Sequence, residues 1–263
     1  MDKTHKSRKA YTSDLTDAQW EIANPFIPTH TSGRPRTTNM REVLNAIFYL
    51  LTNGCSWRNL PHDFPPEGTV RDYFHKWRRT GILDKMHDAL REQVRVKAGR
   101  EPTPSAGSID SQSIKSARTA GLRGFDAGKK INGVKRHIAV DTLGLLLAVV
   151  VHSAAIQDRD GAKLVFDRVW RRFPRLELIW ADGGYAGKLI DYVYSWYLLV
   201  LEIVKRSDDQ KGFKVLPRRW VVERTFGWLM NYRRLCRNYE CWPETSEALV
   251  KMAMIHIMLR RIA

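Results

Sequence analysis

The sequence predicts an α/β protein in which an all-helical N-terminal region precedes a mixed β-sheet flanked by helices. Before residue 98, apolar residues recur at helical spacing, whereas from residue 108 apolar and β-branched runs alternate with helical segments. The intervening stretch "AGREPTPSAG" is rich in Pro, Gly, Ser and Ala, which is typical of a linker. We therefore predict a helical domain over 1–97, a linker over 98–107 and a second domain over 108–263.

The N-terminal region contains several short helical segments. The first is predicted to be capped by Thr16 or Asp17, and the second by Thr38 or Asn39. A short helix over "SWRNLP" is followed by one or two helices hinged at Gly81. Short helices joined by tight turns are typical of a helix-turn-helix-like unit.

The second region reads β, ββ, α, β, α, β, α, α. The alternating "SIDSQSIK" predicts a strand, and "GVKRHIAVDTLGLLLAVVVHSA" predicts a hairpin. The runs "LELIWADGGY" and "LLVLEIVKRS" predict two further strands, each following a helix. Residues 217–235 are predicted to be helical, and a last helix is predicted from Thr245.

The chain of 263 residues carries a net charge of +16, and basic residues exceed acidic ones in each third of it. A surplus spread in this way predicts a surface that tracks a polyanion, with membrane attraction as the competing interpretation. The apolar run "ALVKMAMIHIMLRRIA" is shorter than the roughly 20 residues of a membrane span. Because no apolar secretory signal is seen either, we expect a cytoplasmic protein with Cys55, Cys236 and Cys241 as free thiols.

Three carboxylates stand out by position. Asp110 lies within the first strand, Asp182 ends a buried strand before two glycines, and Glu223 lies on a helix among arginines. A carboxylate on a buried strand is costly unless it is paired or bound to a metal. Converging carboxylates suit Mg²⁺, and two such ions can stabilise the entering and leaving oxygens of a phosphodiester displacement. The alternatives are a strand-end cap, a turn aspartate and an i, i+4 salt bridge between Arg219 and Glu223.

Other candidate groups are expected to be structural. Asp141 is predicted in a hairpin turn, and Asp158 or Asp160 at a helix cap. Structural roles are predicted likewise for Asp126, His137 and His152. Trp220 and Trp228 share a helical face, which favours core packing, with stacking on a flipped nucleotide as the alternative.

Four stretches together carry a family resemblance: "GSIDSQSIK", "GKKINGVKRHIAVDTLGLLLAVVVHSAAIQDRDGA", "IWADGGYAG" and "RRWVVERTFGWLMNYRRL". In this order they resemble bacterial insertion-sequence transposases of the DDE type, whose catalytic domain is ribonuclease-H-like. The resemblance implies a ribonuclease-H-like mixed sheet and catalytic, metal-binding acids at Asp110, Asp182 and Glu223. The short interval between Asp182 and Glu223 leaves no room for the large β insertion of some transposases.

The resemblance extends to the Tyr–Arg–Glu–Lys signature with two departures. Arg219 matches the signature arginine, but Leu216 and Met230 stand where the tyrosine and lysine would be. The chain resembles the subgroup that carries "RRWVVERTF" around the glutamate. Arg233 or Arg234 is expected to supply the missing cation.

The activity implied is that of a DNA transposase that binds terminal inverted repeats, cleaves a strand and transfers it. Alternatives are a metal-dependent nuclease of the same fold and an inactive DNA-binding derivative. The implied cofactors are two Mg²⁺ or Mn²⁺ ions with no nucleotide cofactor, and the implied partner is double-stranded DNA, bound by a homodimer in the nucleoid. The residues predicted to contact DNA are Arg34, Arg36, Arg71, Lys76, Arg78, Arg79, Lys205, Arg206, Arg219, Arg224, Arg233 and Arg234.

Overall fold

The computed structural model describes residues 8–29, 36–204 and 220–263. Four of the residues predicted to contact DNA lie outside these ranges: Arg34, Lys205, Arg206 and Arg219. Leu216, one of the two departures from the signature, also lies outside them. Within the described ranges no helix combines the length and apolar character needed to cross a bilayer.

The N-terminal region is helical, as predicted. It contains α1 (Asp17–Ala23), α2 (Met40–Asn53), α3 (Glu67–Arg79) and α4 (Ile82–Lys97), with 3₁₀ turns at Asn24–Phe26 and Trp57–Asn59. Thr16 and Gln19 form a capping box on α1, and Asn39 caps α2 through two backbone N–H groups. Gly54 ends α2 at φ 74°, and Gly81 separates α3 from α4 at φ 71°, both in the left-handed region that favours glycine.

The second region contains a mixed six-stranded sheet. Its strands are β1 (Ala106–Lys115), β2 (Gly124–Asp126), β3 (Ile131–Asp141), β4 (Leu146–Ser153), β5 (Leu178–Ala181) and β6 (Val200–Ile203). β3 pairs antiparallel with β1, β2 and β4, whereas β5 is parallel to β1 and β6 is parallel to β5. This mixed sheet confirms the predicted ribonuclease-H-like α/β class, and the three-residue β2 is an addition that periodicity did not predict.

Helices cover both faces of the sheet. They are α5 (Asp158–Val169), α6 (Leu189–Tyr197), α7 (Trp220–Met230) and α8 (Pro243–Ile262). α5 and α6 bury Phe166 and Val193 against Ile109 of β1 on one face. On the other face, α7 and α8 pack with Val134 and Ile138 of β3.

The N-terminal helices share the core of the α7–α8 face. Their buried apolar side chains belong to the same continuous cluster as those of α7, α8 and β3. A buried ion pair between Arg95 of α4 and Asp141 at the end of β3 adds a polar link. Asp141 also accepts from the backbone N–H groups of Leu143 and Leu145, at 2.9 and 2.8 Å, as expected for a hairpin turn. The division into domains at residues 98–107 stays a prediction, and β1 already begins at Ala106.

The helix predicted over residues 217–235 ends earlier than expected. α7 stops at Met230, and Arg233–Leu235 form a separate 3₁₀ turn. Tyr232 leaves the helical backbone at ψ 104°, and its buried hydroxyl lies 3.2 Å from Nδ1 of His256 on α8. Tertiary packing of this tyrosine therefore overrides the helical periodicity that continues to residue 235.

Candidate active site

Asp110 lies in the middle of β1, on the sheet face that α7 covers. It is half-buried and pairs across the ladder with Ile138, whose side chain belongs to the core beneath α7 and α8. Directly opposed residues of an antiparallel pair project to the same face, so Asp110 projects towards α7. Its neighbour Ser111 projects to the α5 side, where its hydroxyl donates to Asp158.

Asp182 follows β5 directly, at the strand end predicted from the sequence. Its Oδ1 accepts from the backbone N–H of Gly184 at 2.8 Å and caps the 3₁₀ turn Gly183–Tyr185. β1 and β5 run parallel with Ser108 beside Trp180. The same register carried two residues further brings Asp110 alongside Asp182. The turn role and the predicted catalytic role are thus compatible, because one carboxylate oxygen serves the turn.

Tyr185 is a buried residue of this site that the sequence reasoning missed. Burial raises the pKa of its phenol well above 10, and the negative charges of Asp110, Asp158 and Asp182 raise it further. The pKa of the phenol therefore depends on the charges of both Asp110 and Asp182. A turn residue three positions after the predicted catalytic aspartate was the available signal, in "DGGY".

A chain of hydrogen bonds fixes the orientation of Tyr185. His152 Nδ1 lies 2.9 Å from the carbonyl oxygen of Ser153, which can only accept, so this nitrogen carries the proton. His152 Nε2 then accepts from Nδ1 of His137 at 3.4 Å, and His137 Nε2 accepts from the hydroxyl of Tyr185 at 2.8 Å. Burial lowers the pKa of His137 to about 3, in keeping with a neutral ring. Both histidines are hydrogen-bonded within the protein, which is the role expected for them.

Asp158 and Asp126 also have partners on the α5 side. Ser111 Oγ donates to Asp158 at 2.7 Å, and Lys135 Nζ lies 3.0 Å from the same oxygen. Burial would raise the pKa of Asp158, but these two partners outweigh it and lower the pKa. Asp126 accepts from Ser113 Oγ at 2.5 Å. The expectation that Asp158 or Asp160 caps α5 was wrong, because Gln157 occupies the cap and both acids lie in the first helical turn.

Glu223 lies in the first turn of α7 and is exposed. Val221 and Val222 of the same turn are buried, and α7 packs on β1 and β3. In the part of the chain that the structure describes, no three His, Cys, Asp or Glu side chains form a group that could hold a metal ion. The donor chemistry nevertheless fits Mg²⁺, which is held by one or two carboxylates with water and phosphate completing the shell. Asp110 and Asp182 on neighbouring strands supply such a pair.

The basic residues predicted to contact DNA differ in their surroundings. Arg36, Arg71, Lys76, Arg79 and Arg233 are exposed, and Arg78 is half-buried. Arg234 is buried, and its guanidinium donates to Glu240 at 2.6 Å and to the carbonyl of Cys55 at 3.1 Å.

Arg224 and the tryptophans of α7 form a stack. The guanidinium carbon of Arg224 lies 4.3 Å from the ring centre of Trp220 and 4.6 Å from that of Trp228. Trp220 is 38% exposed. The expectation of core packing for these tryptophans therefore needs correction, because their rings enclose a cation at the surface of α7.

Two of the proteins similar to this chain come from an insertion element, and the name of one of them describes a putative transposase. The putative transposase for insertion sequence element IS402 of Burkholderia cepacia is 29% identical over 127 residues, covering 46% of this chain and 60% of its own. The IS402 uncharacterized 16.2 kDa protein is 25% identical over 124 residues, covering 44% and 78%. The uncharacterized protein y4sN of Sinorhizobium fredii is 36% identical over 82 residues, covering 30% and 65%. The first and last of these matches span less than two thirds of the relative's length.

Among solved structures, a piggyBac transposase synaptic complex with hairpin DNA has a TM-score of 0.40 at 12% identity, covering 92% of this chain and 70% of its own. A Drosophila P element transposase strand transfer complex has a TM-score of 0.30 at 14% identity, covering 73% and 45%. Neither likeness establishes the fold by itself.

Two family matches divide most of the chain between them. Residues 15–87 match a family described as a putative transposase of the IS4/5 family. Residues 101–258, more than half of the chain, match the transposase DDE domain. The chain therefore belongs to the DDE transposases of bacterial insertion sequences.

Proposed function

We propose that this DDE transposase binds the terminal inverted repeats of its insertion sequence, cleaves one strand at each end and joins the freed end to target DNA. The observation that carries the proposal is the position of Asp110 on β1 and of Asp182 directly after the neighbouring parallel strand β5, with the helix that bears Glu223 packed on β1. Carboxylates from two strands and a following helix suit a two-metal site, which stabilises the attacking and leaving oxygens of a phosphodiester displacement.

Asp110 and Asp182 would hold divalent metal, Mg²⁺ or Mn²⁺ and two ions in number, with Glu223 completing the donor set from α7. When bound, the metal supplies Lewis-acid activation of water and stabilises the leaving oxygen. Tyr185 anchors the turn that begins at Asp182, because its hydroxyl donates to buried His137. The turn thereby keeps the Asp182 carboxylate at the end of β5.

Two displacements at phosphorus make up the reaction. In the first, water adds to the phosphate at the element's end, the P–O3′ bond breaks, and a 3′-OH is released. In the second, that 3′ oxygen adds to a target phosphate, which breaks a target P–O3′ bond and leaves a target 3′-OH. One phosphodiester replaces another in the second step, so no nucleotide cofactor and no covalent protein–DNA intermediate is needed.

The helical region would supply the contacts that position the DNA. Exposed Arg71, Lys76 and Arg79 project from α3, and Arg36 precedes α2. Contacts from such residues to phosphates orient a duplex without reading its sequence. Because two ends must be joined in one event, we propose that a homodimer assembles on the DNA.

The test is an incubation of the full chain with Mg²⁺ and a labelled duplex that carries the element's end. Joined products support transposition, cut products alone support a nuclease, and bound but intact DNA supports an inactive binder. Asp182→Asn should reduce cleavage by at least about 10³-fold, since removal of single catalytic groups has effects of this order. Binding should persist in this variant.

Asp191→Asn on α6 is the matched control, because it removes the same charge from an exposed position outside the proposed site. It should cleave like the unaltered protein. Unchanged cleavage by Asp182→Asn would remove the proposed site from consideration.

A further inference from the structure

A cationic cavity lies between α4, α7, α8 and the β3–β4 turn, on the molecule's α7–α8 face. Its volume is about 360 Å³. Lys97, Arg224 and Arg261 line it around the indole of Trp228, with Leu143 of the turn as a further wall. Among the described residues, no carboxylate lines it. Three positive charges thus share one recess whose described walls carry no acid.

The two arginines are held by aromatic rings. The guanidinium carbon of Arg224 lies between the rings of Trp220 and Trp228, and that of Arg261 lies 4.2 Å from the centre of the Trp228 ring. Cation–π contacts of this length fix a guanidinium without using its hydrogen-bond donors. The stack therefore orders both cations and leaves their N–H groups available.

Few of those N–H groups have partners among the residues that the structure describes. Arg224 donates one bond to the carbonyl oxygen of Leu143 at 3.0 Å, while its buried Nε has no partner in the described ranges. The side chain of Arg261 makes neither a hydrogen bond nor an ion pair with any residue of the described part. Each guanidinium offers five N–H donors, so most of the guanidinium donors in this recess have no acceptor in the described ranges.

The charges in the recess also oppose each other. Burial lowers the pKa of Arg261, and the charge of Arg224 lowers it further. Burial likewise lowers the pKa of Arg224. Asp141 is the acid that raises both, but its two oxygens already serve Arg95 and the N–H groups of the turn. An anion in the recess would relieve this repulsion.

We propose that this recess binds a phosphate of the DNA backbone, an inference that rests on the proposed function. The planar forks of Arg224 and Arg261 suit bidentate contacts to phosphate oxygens, and Lys97 adds a point charge at the rim. Arg224 directly follows Glu223 on α7. A DNA strand bound here is therefore held at a fixed position relative to α7, whatever its base sequence.

The competing account is a structural one, in which the stack of rings and guanidiniums only joins α7 to α8. The two accounts differ in what they predict for salt dependence. A phosphate contact releases condensed counterions, so each one contributes about 0.9 to the slope of log K against log salt on duplex DNA. A stack that only joins α7 to α8 contributes nothing to that slope.

The experiment is a fluorescence-anisotropy titration of the full chain with a labelled duplex oligonucleotide over a series of KCl concentrations. Arg261→Gln should flatten the slope by about 0.9 and weaken binding at low salt by several-fold. Arg260→Gln is the matched control on the same helix, because exposed Arg260 donates to the carbonyl of Thr12 at 3.3 Å, away from the recess. Its slope should equal that of the unaltered protein.

Lys97→Gln guards against misfolding of the first variant, since Lys97 is exposed at the end of α4. It should also flatten the slope, whereas Lys85→Gln, exposed on the same helix, should not. Equal slopes for Arg261→Gln, Lys97→Gln and their controls would overturn the proposed phosphate site. The stack would then serve only to join α7 to α8. Absence of salt-dependent binding by the unaltered protein would instead count against the proposed function.

Discussion

The polar cluster on the α5 face of the sheet and the cationic recess on the α7–α8 face differ in how their charged groups are paired. On the α5 face, Asp158 is paired with Ser111 and Lys135, and the histidine pair passes its hydrogen bonds on to Tyr185. On the α7–α8 face, Arg224 and Arg261 lie against indole rings with most of their donors unused in the described part. Buried polar groups whose partners are internal stabilise a fold, whereas ordered groups with unused donors are available to a ligand. The difference indicates which polar residues belong to architecture and which to binding.

The largest effect is expected where a fully paired charge on the α7–α8 side is broken. Asp141→Asn removes the charge that faces buried Arg95 at the end of β3, where Asp141 is wholly inaccessible to solvent. Loss of one partner of a buried pair costs about 3–5 kcal/mol in the free energy of unfolding. Chemical denaturation would measure this loss.

Asp84→Asn supplies the comparison, because Asp84 lies on α4, the helix that carries Arg95. Its pair with Lys251 is partly exposed, so its loss should cost no more than about 1 kcal/mol. Equal costs for the two variants would show that burial of the Arg95–Asp141 pair has no energetic consequence.

An intermediate effect is expected from the histidines of the α5 face as pH falls. The pKa of His137 is about 3 in the folded chain, below the ordinary value of 6.5, because the ring is buried. Between these values the unfolded chain binds the extra proton, so stability is present above about pH 6.5 and declines as pH falls. The slope contributed by one such histidine approaches about 1.4 kcal/mol per pH unit.

Denaturant titrations between pH 7 and pH 5 measure this slope. His137→Gln should make it shallower, because the amide can still accept from Tyr185 but does not titrate. His62→Gln, at an exposed position, should leave it unchanged. An identical slope in all three proteins would contradict a buried, neutral His137.

What the sequence predicted well is what local chemistry determines. The caps Thr16 and Asn39, the hairpin turn at Asp141 and the position of Asp182 after a buried strand all follow from signals within a few residues. The features that it missed depend on contacts distant in the chain. The early end of α7, for example, follows from Tyr232 packing against His256, a contact that helical periodicity does not encode.

The same distinction between local sequence signals and distant contacts applies to the residues of the candidate site. Asp110, Asp182 and Glu223 were recognisable from strand position and family resemblance, and their assignment as catalytic residues stays a prediction. Tyr185 and the recess around Trp228 were not recognisable, because each is assembled from several elements. Arg224 was predicted to contact DNA, but its placement between two indoles follows from the i, i+4 geometry of α7 with α8 beside it.

The smallest effect is expected for the stability of Arg261→Gln. A partly exposed cation–π contact contributes about 0.5–1 kcal/mol, and the variant also removes the repulsion that Arg224 imposes on Arg261. These changes oppose each other, so the free energy of unfolding should stay within about 1 kcal/mol of the unaltered protein, as measured by denaturation without DNA. If Arg261→Gln lowered the free energy of unfolding by several kcal/mol, Arg261 would be a structural residue like Arg95 and Asp141. A residue that costs little in stability but flattens the salt dependence of binding belongs to a surface built for DNA.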